Sequence, residues 1–346
     1  MNRRTLSHFT GCLLGGAVGD ALGWPVEFMS WEEIKNRYGG EGIRDPDLKG
    51  NPYAEITDDT QMTLFTAEGL LRAKCRIVEK GICYVPGVIH HAYLRWLKTQ
   101  GGESALEIGT DGWLYGVEAL HAQRAPGNAC LSSLMRSRNF GDMARNDSKG
   151  CGGVMRMAPV GLIMGLESVF DTASEAAGLT HGHPTGRIAA AAFAVLINGL
   201  VAGQGLAEAV ESVMKTLGGR EDSQETAAAL KNAVRLAKSG KPAVEKVHSL
   251  GGGWVAEEAL AIAVYAALSY PDSFKDAVIL AVNHSGDSDS TGAICGNVMG
   301  LMHGEEGIPA EWVRQVELQD VIRAMACDLY TGFAYTDEWR EKYPGW

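Results

Sequence analysis

From residue 172 to about residue 328 the chain repeats its apolar side chains at helical spacing, with alanine filling the positions between. The pattern predicts helices over 173–180, 185–201, 205–217, 224–238, 254–269, 274–283, 291–303 and about 309–328. Upstream, the same spacing predicts a helix from Thr57 to about Lys74, one over 88–98 and a short one over 128–138. Few segments alternate with period two, and none carries a β-branched run of strand length. The fold class this implies is all-α. No clean linker, repeat or low-complexity tract divides the 346 residues, so a single domain spanning 1–346 is expected, with an aromatic tail from about 330 packing on its surface. Near the N-terminus, residues 6–23 place Leu13, Leu14 and Val18 at helical spacing and glycines at 11, 15, 16, 19 and 23 on a nearly bare face, which allows close helix packing.

Against this apolar background two polar clusters stand out. Residues 283–297 read N-H-S-G-D-S-D-S-T-G-A-I-C-G-N, with Asp287 and Asp289 two apart and hydroxyls at Ser288, Ser290 and Thr291. Carboxylates this close repel one another unless a cation or hydrogen-bond donors neutralise them. An all-oxygen set suits a hard cation, Mg²⁺, Mn²⁺ or Ca²⁺, better than zinc. A helix N-cap explains one Asp and one Ser of this run but not the whole cluster. The second cluster is Thr57-Asp58-Asp59-Thr60 at the start of a helix, where free amides and the helix dipole favour charged carboxylates. Two such helix starts, if they converge, could hold two metals roughly 4 Å apart.

Three further stretches carry polar chemistry. Glu27 follows a Pro and sits between apolar neighbours, which marks it as a candidate cleft carboxylate, although most lone glutamates are surface residues. Residues 146–159 run from Ser148 through Gly150, Cys151, Gly152 and Gly153 to Met155 and Arg156. A glycine cluster entering an apolar helix offers backbone amides to an anion, though a plain turn has the same composition. No G-K-[ST] closes the loop, so it is not a Walker motif. His181 and His183 flank a Gly between two helices, either as cap partners or lining a pocket; His90 and His91 lack a carboxylate at ligand spacing and read as structural.

Composition narrows the function. The formal net charge of −11 argues against a nucleic-acid partner. Seven scattered cysteines without a C-x-x-C pair argue for a reducing compartment. The longest apolar stretch, 188–201, contains Asn198 and Gly199 and is too short for a bilayer, so no membrane association and a cytoplasmic location are expected.

Taken together, the segments G-C-L-L-G-G-A-V-G-D-A-L-G with Glu27 after it, T-D-D-T, G-G-V-M-R-M-A-P-V-G-L, L-T-H and H-S-G-D-S-D-S-T-G-A resemble the ADP-ribosylglycohydrolase family, including the dinitrogenase reductase-activating glycohydrolases. The resemblance spans residues 11–312 and leaves the last 30 or so uncovered. It implies an all-α, single-domain fold with two divalent cations, Mg²⁺ or Mn²⁺, at the base of a cleft. The metal ligands it implies are Thr57, Asp58, Asp59, Asp287, Asp289 and Ser290. It implies that Ser148, Gly150, Cys151, Gly152, Gly153, Met155 and Arg156, with His181 nearby, hold the ADP-ribose diphosphate, and that Glu27 or Asp58 serves as acid or base. The expected activity is removal of ADP-ribose from modified protein side chains, with arginine the expected linkage. The other readings are hydrolysis of O-linked (serine) or small-molecule ADP-ribosyl substrates, and an immunity or binding protein that occludes an ADP-ribosylating toxin. Occlusion needs no metal cluster, which weighs against the last.

Overall fold

In a computed structural model, which describes residues 2–345, the chain forms seventeen α-helices and five short 3₁₀ segments. Among the described residues there is no strand, only two isolated bridges, Ala54 to Val316 and Gly150 to Val255. The all-α expectation holds, and the buried apolar side chains form one contiguous cluster from Phe9 to Tyr343.

The centre of the fold is an antiparallel seam between the first helix, Leu6–Gly23, and the helix Ser288–His303. Glycines recur every fourth residue on both, so they fall on one face of each helix. A Cβ on Gly15 would lie 2.3 Å from the Gly296 carbonyl oxygen, and one on Gly19 2.0 Å from that of Gly292. A Cβ on Gly296 would in turn lie 1.9 Å from the Gly15 oxygen. The backbones are in contact, and Asn297 locks the register by donating its Nδ2 to the Cys12 carbonyl at 2.7 Å. This seam brings the C-terminal end of the first helix, with Asp20 and the following Glu27, against the N-terminal end of Ser288–His303, with Asp287 and Asp289.

The helix Asp58–Lys80 starts beside that junction. Its cap is Thr57, whose hydroxyl accepts the Asp59 N–H at 3.3 Å. It packs on Val85–Thr99 through a fully buried Glu68–Arg95 pair at 3.1 Å and a Thr66–Tyr93 hydroxyl contact at 2.8 Å. The helix Pro184–Val201 is apolar and long enough for a membrane span by composition, but 78% of it is buried inside the protein.

The structure corrects three local expectations. The helix predicted from 309 to 328 is two helices, Ala310–Gln315 and Gln319–Thr331. The Ala54 N–H donates to the Gln315 carbonyl and the Glu317 N–H to the Ala54 carbonyl, which pulls the chain out of helix, and Leu318 adopts a left-handed φ of 58°. The helix predicted from 291 starts at Ser288, capped by Asp287. The tail is not a surface appendage: Trp339 and Tyr343 are buried, the Tyr343 hydroxyl donates to Asp328 at 2.6 Å, and Arg72 Nε donates to the Pro344 carbonyl at 3.1 Å.

Candidate active site

A cleft of about 380 Å³ opens where these helix ends meet. Both acidic clusters line it: Asp58 and Asp59 from one side, Asp287, Asp289 and Ser290 from the other, and Glu27 at the mouth. Ligand oxygens of Glu27, Asp287 and Asp289 lie within 4.8 Å of one another. Ser148, Gly150, Cys151, Gly152, Met155 and His181 complete the lining. Of the residues singled out from sequence, Thr57, Gly153 and Arg156 do not line it. Thr57 is fully buried, with its hydroxyl engaged as the helix cap. Gly153 lies beneath the loop against Ala177 and the His181 ring. Arg156 is fully buried behind the wall, 4.3 Å over the Tyr93 ring and donating to the Thr180 hydroxyl at 2.7 Å.

The carboxylates are held without cationic partners. Among the described residues, no lysine or arginine lines the cleft. Asp58, Asp59, Asp287 and Asp289 are nearly inaccessible, while Glu27 is only partly buried. Burial is the first cause of an upward pKa shift in every one of them. Asp59 and Asp289 are pushed well above the ordinary range, with neighbouring carboxylates as the next cause. Glu27 is pushed up to about 8 by burial and then by Asp287 and Asp58. Asp58 is raised to about 7, moderated by the Gly127 N–H it accepts at 3.1 Å. Asp287 is raised by burial and eased by hydrogen bonds, among them the Cys151 thiol at 2.7 Å.

This donor set fits a hard divalent cation. It is all oxygen, it is crowded with negative charge, and two buried oxygens, Glu27 Oε2 and Asp59 Oδ1, have no hydrogen-bond partner among the described residues. A buried polar atom without a partner costs about 1–3 kcal/mol, more when charged, so an arrangement that keeps two of them calls for a ligand.

Asp20 was not singled out from sequence, yet it organises the site. It is completely buried in the first helix and accepts the Thr57 N–H at 3.0 Å, the Thr60 N–H at 3.1 Å and the Thr60 hydroxyl. It thereby fixes the start of the Asp58 helix against the first helix. The signal was present: an Asp in the middle of an apolar, glycine-faced helix must find donors or pay desolvation. Phe28 and Trp254 were also missed. They stack at 5.1 Å on the rim, both largely exposed, with Phe28 held at a φ of 64° immediately after Glu27.

The glycine-rich loop is strapped to the helix Ala256–Ser269: Cys151 N–H donates to the Trp254 carbonyl at 3.1 Å and Ala256 N–H to that of Lys149 at 2.9 Å. Its glycines leave room for the His181 ring. A Cβ on Gly152 would lie 3.0 Å from His181 Cε1, and one on Gly150 3.4 Å from Nε2. His181 is buried, and burial followed by the Arg156 charge lowers its pKa to about 3, so the imidazole is neutral at physiological pH. Its Nδ1 meets the Thr180 hydroxyl at 2.8 Å.

Residues 1–338 match the model of the ADP-ribosylglycohydrolase family, and the chain belongs to that family. The match runs into the C-terminal tail. The chain is similar to the ADP-ribosyl-[dinitrogen reductase] glycohydrolase of Rhodospirillum rubrum, 26% identical over 320 residues that cover 89% of this chain and 90% of that protein. It is also similar to the ADP-ribosylarginine hydrolase Tri1 of Pseudomonas putida, 24% identical over 343 residues covering 97% of this chain and 81% of that one. A solved structure described as an ADP-ribosylglycohydrolase-related protein complex matches with a TM-score of 0.67 at 26% identity, over 96% of this chain and 99% of its own.

Proposed function

We propose that this ADP-ribosyl hydrolase releases ADP-ribose from the arginine side chains of modified proteins. The observation that carries the reading is the charge of the cleft: among the described residues five carboxylates line it and no lysine or arginine does. An ADP-ribosylated guanidinium keeps its positive charge, whereas an O-linked serine is neutral. Two divalent cations would bring four positive charges against five carboxylates, so a surplus negative charge remains to attract a cationic leaving group. The exposed Phe28–Trp254 pair at the mouth suits a guanidinium, which stacks well on aromatic faces. The relative named as an ADP-ribosylarginine hydrolase supports the same linkage, and the one named for dinitrogen reductase supports a protein substrate.

In this reading Asp58, Asp59, Asp287 and Asp289, with Ser290, would hold two divalent cations, Mg²⁺ or Mn²⁺, while Thr57 caps the helix that presents Asp58 and Asp59. When bound, such ions lower the pKa of a water and fix neighbouring ribose hydroxyls. The rest falls to the chain. The glycine-rich loop offers backbone amides to the diphosphate, and neutral His181 offers a ring nitrogen beside them. Glu27 is the acid–base group in preference to Asp58, because it alone of the five is partly open to the mouth while Asp58 is committed to Gly127. Water oxygen bonds to the anomeric carbon, the carbon–nitrogen bond breaks, the proton lost by water passes to the leaving nitrogen, and ADP-ribose and arginine are the products. The reading is tested by incubating the protein with an arginine-ADP-ribosylated target and Mg²⁺ or Mn²⁺. Free ADP-ribose should appear, and should not appear after EDTA; full activity in EDTA-stripped protein contradicts the metal assignment.

A further inference from the structure

Behind the glycine-rich loop lies a second, smaller pocket of about 170 Å³. Its lining is opposite in character to the cleft: Arg136, Arg138 and Arg145 converge on it with the hydroxyl residues Ser132, Ser133 and Ser137. None of the three guanidinium groups has a hydrogen bond or ion pair among the described residues, although this chain carries 42 acidic residues against 31 basic ones. The one carboxylate in the lining, Asp142, is engaged by the backbone and side-chain amides of Asn139 at 2.9 and 3.1 Å. In a protein of net charge −11, three unpaired arginines sharing one concavity concentrate positive potential where surplus acid would be expected to quench it.

The wall between pocket and cleft is thin. Asn146 lines the pocket, and its Oδ1 accepts the N–H of Ser148, which lines the cleft, at 3.0 Å. Its Nδ2 donates to Ser133 Oγ and to the Thr180 carbonyl, both at 2.9 Å. Thr180 in turn contacts His181 of the cleft. Two other nearby cations are spoken for, Lys149 by Glu225 and Glu257 and Arg156 by its stacking on Tyr93, while Arg187 reaches the pocket-lining Met143.

We infer that the Arg136–Arg138–Arg145 pocket is a phosphoryl-binding site adjoining the acidic cleft. A guanidinium fork matches phosphate oxygens in pairs, and the Ser132 hydroxyl is a further donor, those of Ser133 and Ser137 being committed to the Thr180 and Ser133 carbonyls at 2.9 and 3.1 Å. The site gives a phosphate-bearing ligand the positive charge that the cleft itself does not provide. The phosphoryl group comes either from the ADP-ribosyl moiety seated in the cleft or from free phosphate. The inference does not depend on which linkage the enzyme cleaves.

The test is a calorimetric titration of inorganic phosphate into the full-length protein in Mg²⁺ buffer at low ionic strength. Variants R136Q/R145Q, R136K/R145K and R235Q are compared; Arg235 is an exposed arginine outside the pocket and controls for the loss of a positive charge elsewhere on the surface. Circular dichroism melting confirms that each variant is folded. Phosphate affinity should fall at least tenfold in R136Q/R145Q, less than threefold in R136K/R145K, and not at all in R235Q. Equal affinity in wild type and R136Q/R145Q, or an equal loss in R235Q, overturns the site. ADP-ribose titrated into the same proteins identifies the source. A parallel loss means the pocket holds a phosphate of the ADP-ribosyl ligand, and an unchanged ADP-ribose affinity beside a lost phosphate affinity means it holds free phosphate; both support the pocket.

Discussion

At the scale of single residues, the cleft carboxylates are an unfavourable set while no cation offsets them. Replacing Asp289 by Asn removes one repelling charge, so the metal-free variant should melt higher than metal-free wild type. Metal should then reverse the order. A ligand present at a hundred times its Kd stabilises by about 2.7 kcal/mol, and the variant should lose most of that gain along with its activity. Thermal melts with EDTA and with Mn²⁺ show both effects; a variant that gains as much from Mn²⁺ as wild type contradicts the ligand role of Asp289. Asp20 behaves differently, because its donors have no other partner. Asp20→Ala strands the Thr57 and Thr60 N–H groups in a dry interior and should cost about 3 kcal/mol in urea denaturation. The acidic clusters were legible in sequence because runs of oxygen side chains interrupt apolar flanks. Asp20 was not, since a single Asp within a helix looks like an ordinary polar position until its burial is known. Arg136, Arg138 and Arg145 were equally silent, spread over ten residues as unremarkable surface charges.

At the scale of helices, function depends on the glycine seam. Gly296→Ala places a Cβ 1.9 Å from the Gly15 carbonyl oxygen, and the two helices must separate to admit it. The expected loss is about 1–3 kcal/mol of stability, with a loss of metal affinity because Asp287 and Asp289 move relative to Glu27. Gly219→Ala, where a Cβ meets nothing within 4 Å, is the control and should be neutral. The bare glycine face announced close packing, but not its partner; contact between residues 15 and 296 is a tertiary fact that helical periodicity does not encode. The same limit explains the broken helix near Leu318, which a backbone pairing with Ala54 interrupts. Between helices, His90 accepts the Gly141 N–H on Nδ1 at 2.9 Å, so its ring is neutral with the proton on Nε2, facing Ser137. Burial lowers its pKa to about 4, below the unfolded value of about 6.5. Stability from this group is therefore complete above pH ~6.5 and is lost as pH falls toward ~4, because the unfolded chain takes up the proton first. His91, His181 and His284 are shifted in the same direction. The cleft carboxylates, raised into the same window, act with the opposite sign but are common to wild type and variant, so the urea midpoint of His90→Gln relative to wild type should rise from pH 7.5 to 4.5; a constant difference contradicts the assignment.

At the scale of the whole molecule, an all-α framework places two sequence-distant helix starts, a glycine-rich loop and a carboxylate on a short turn around one cleft. The fold class and most helices could be read from periodicity, and the family from five ordered motifs. The meeting of the clusters, and the burial of Trp339 and Tyr343 in the tail, depend on packing between segments hundreds of residues apart. The central functional claim is that surplus negative charge in the cleft selects a cationic leaving group. Its most direct test is a side-by-side assay of ADP-ribose release from arginine-, serine- and cysteine-linked ADP-ribosyl peptides of otherwise identical sequence, at saturating Mg²⁺ or Mn²⁺. The account predicts release from the arginine-linked peptide at a rate at least tenfold above the other two; release from the serine-linked peptide alone would contradict it.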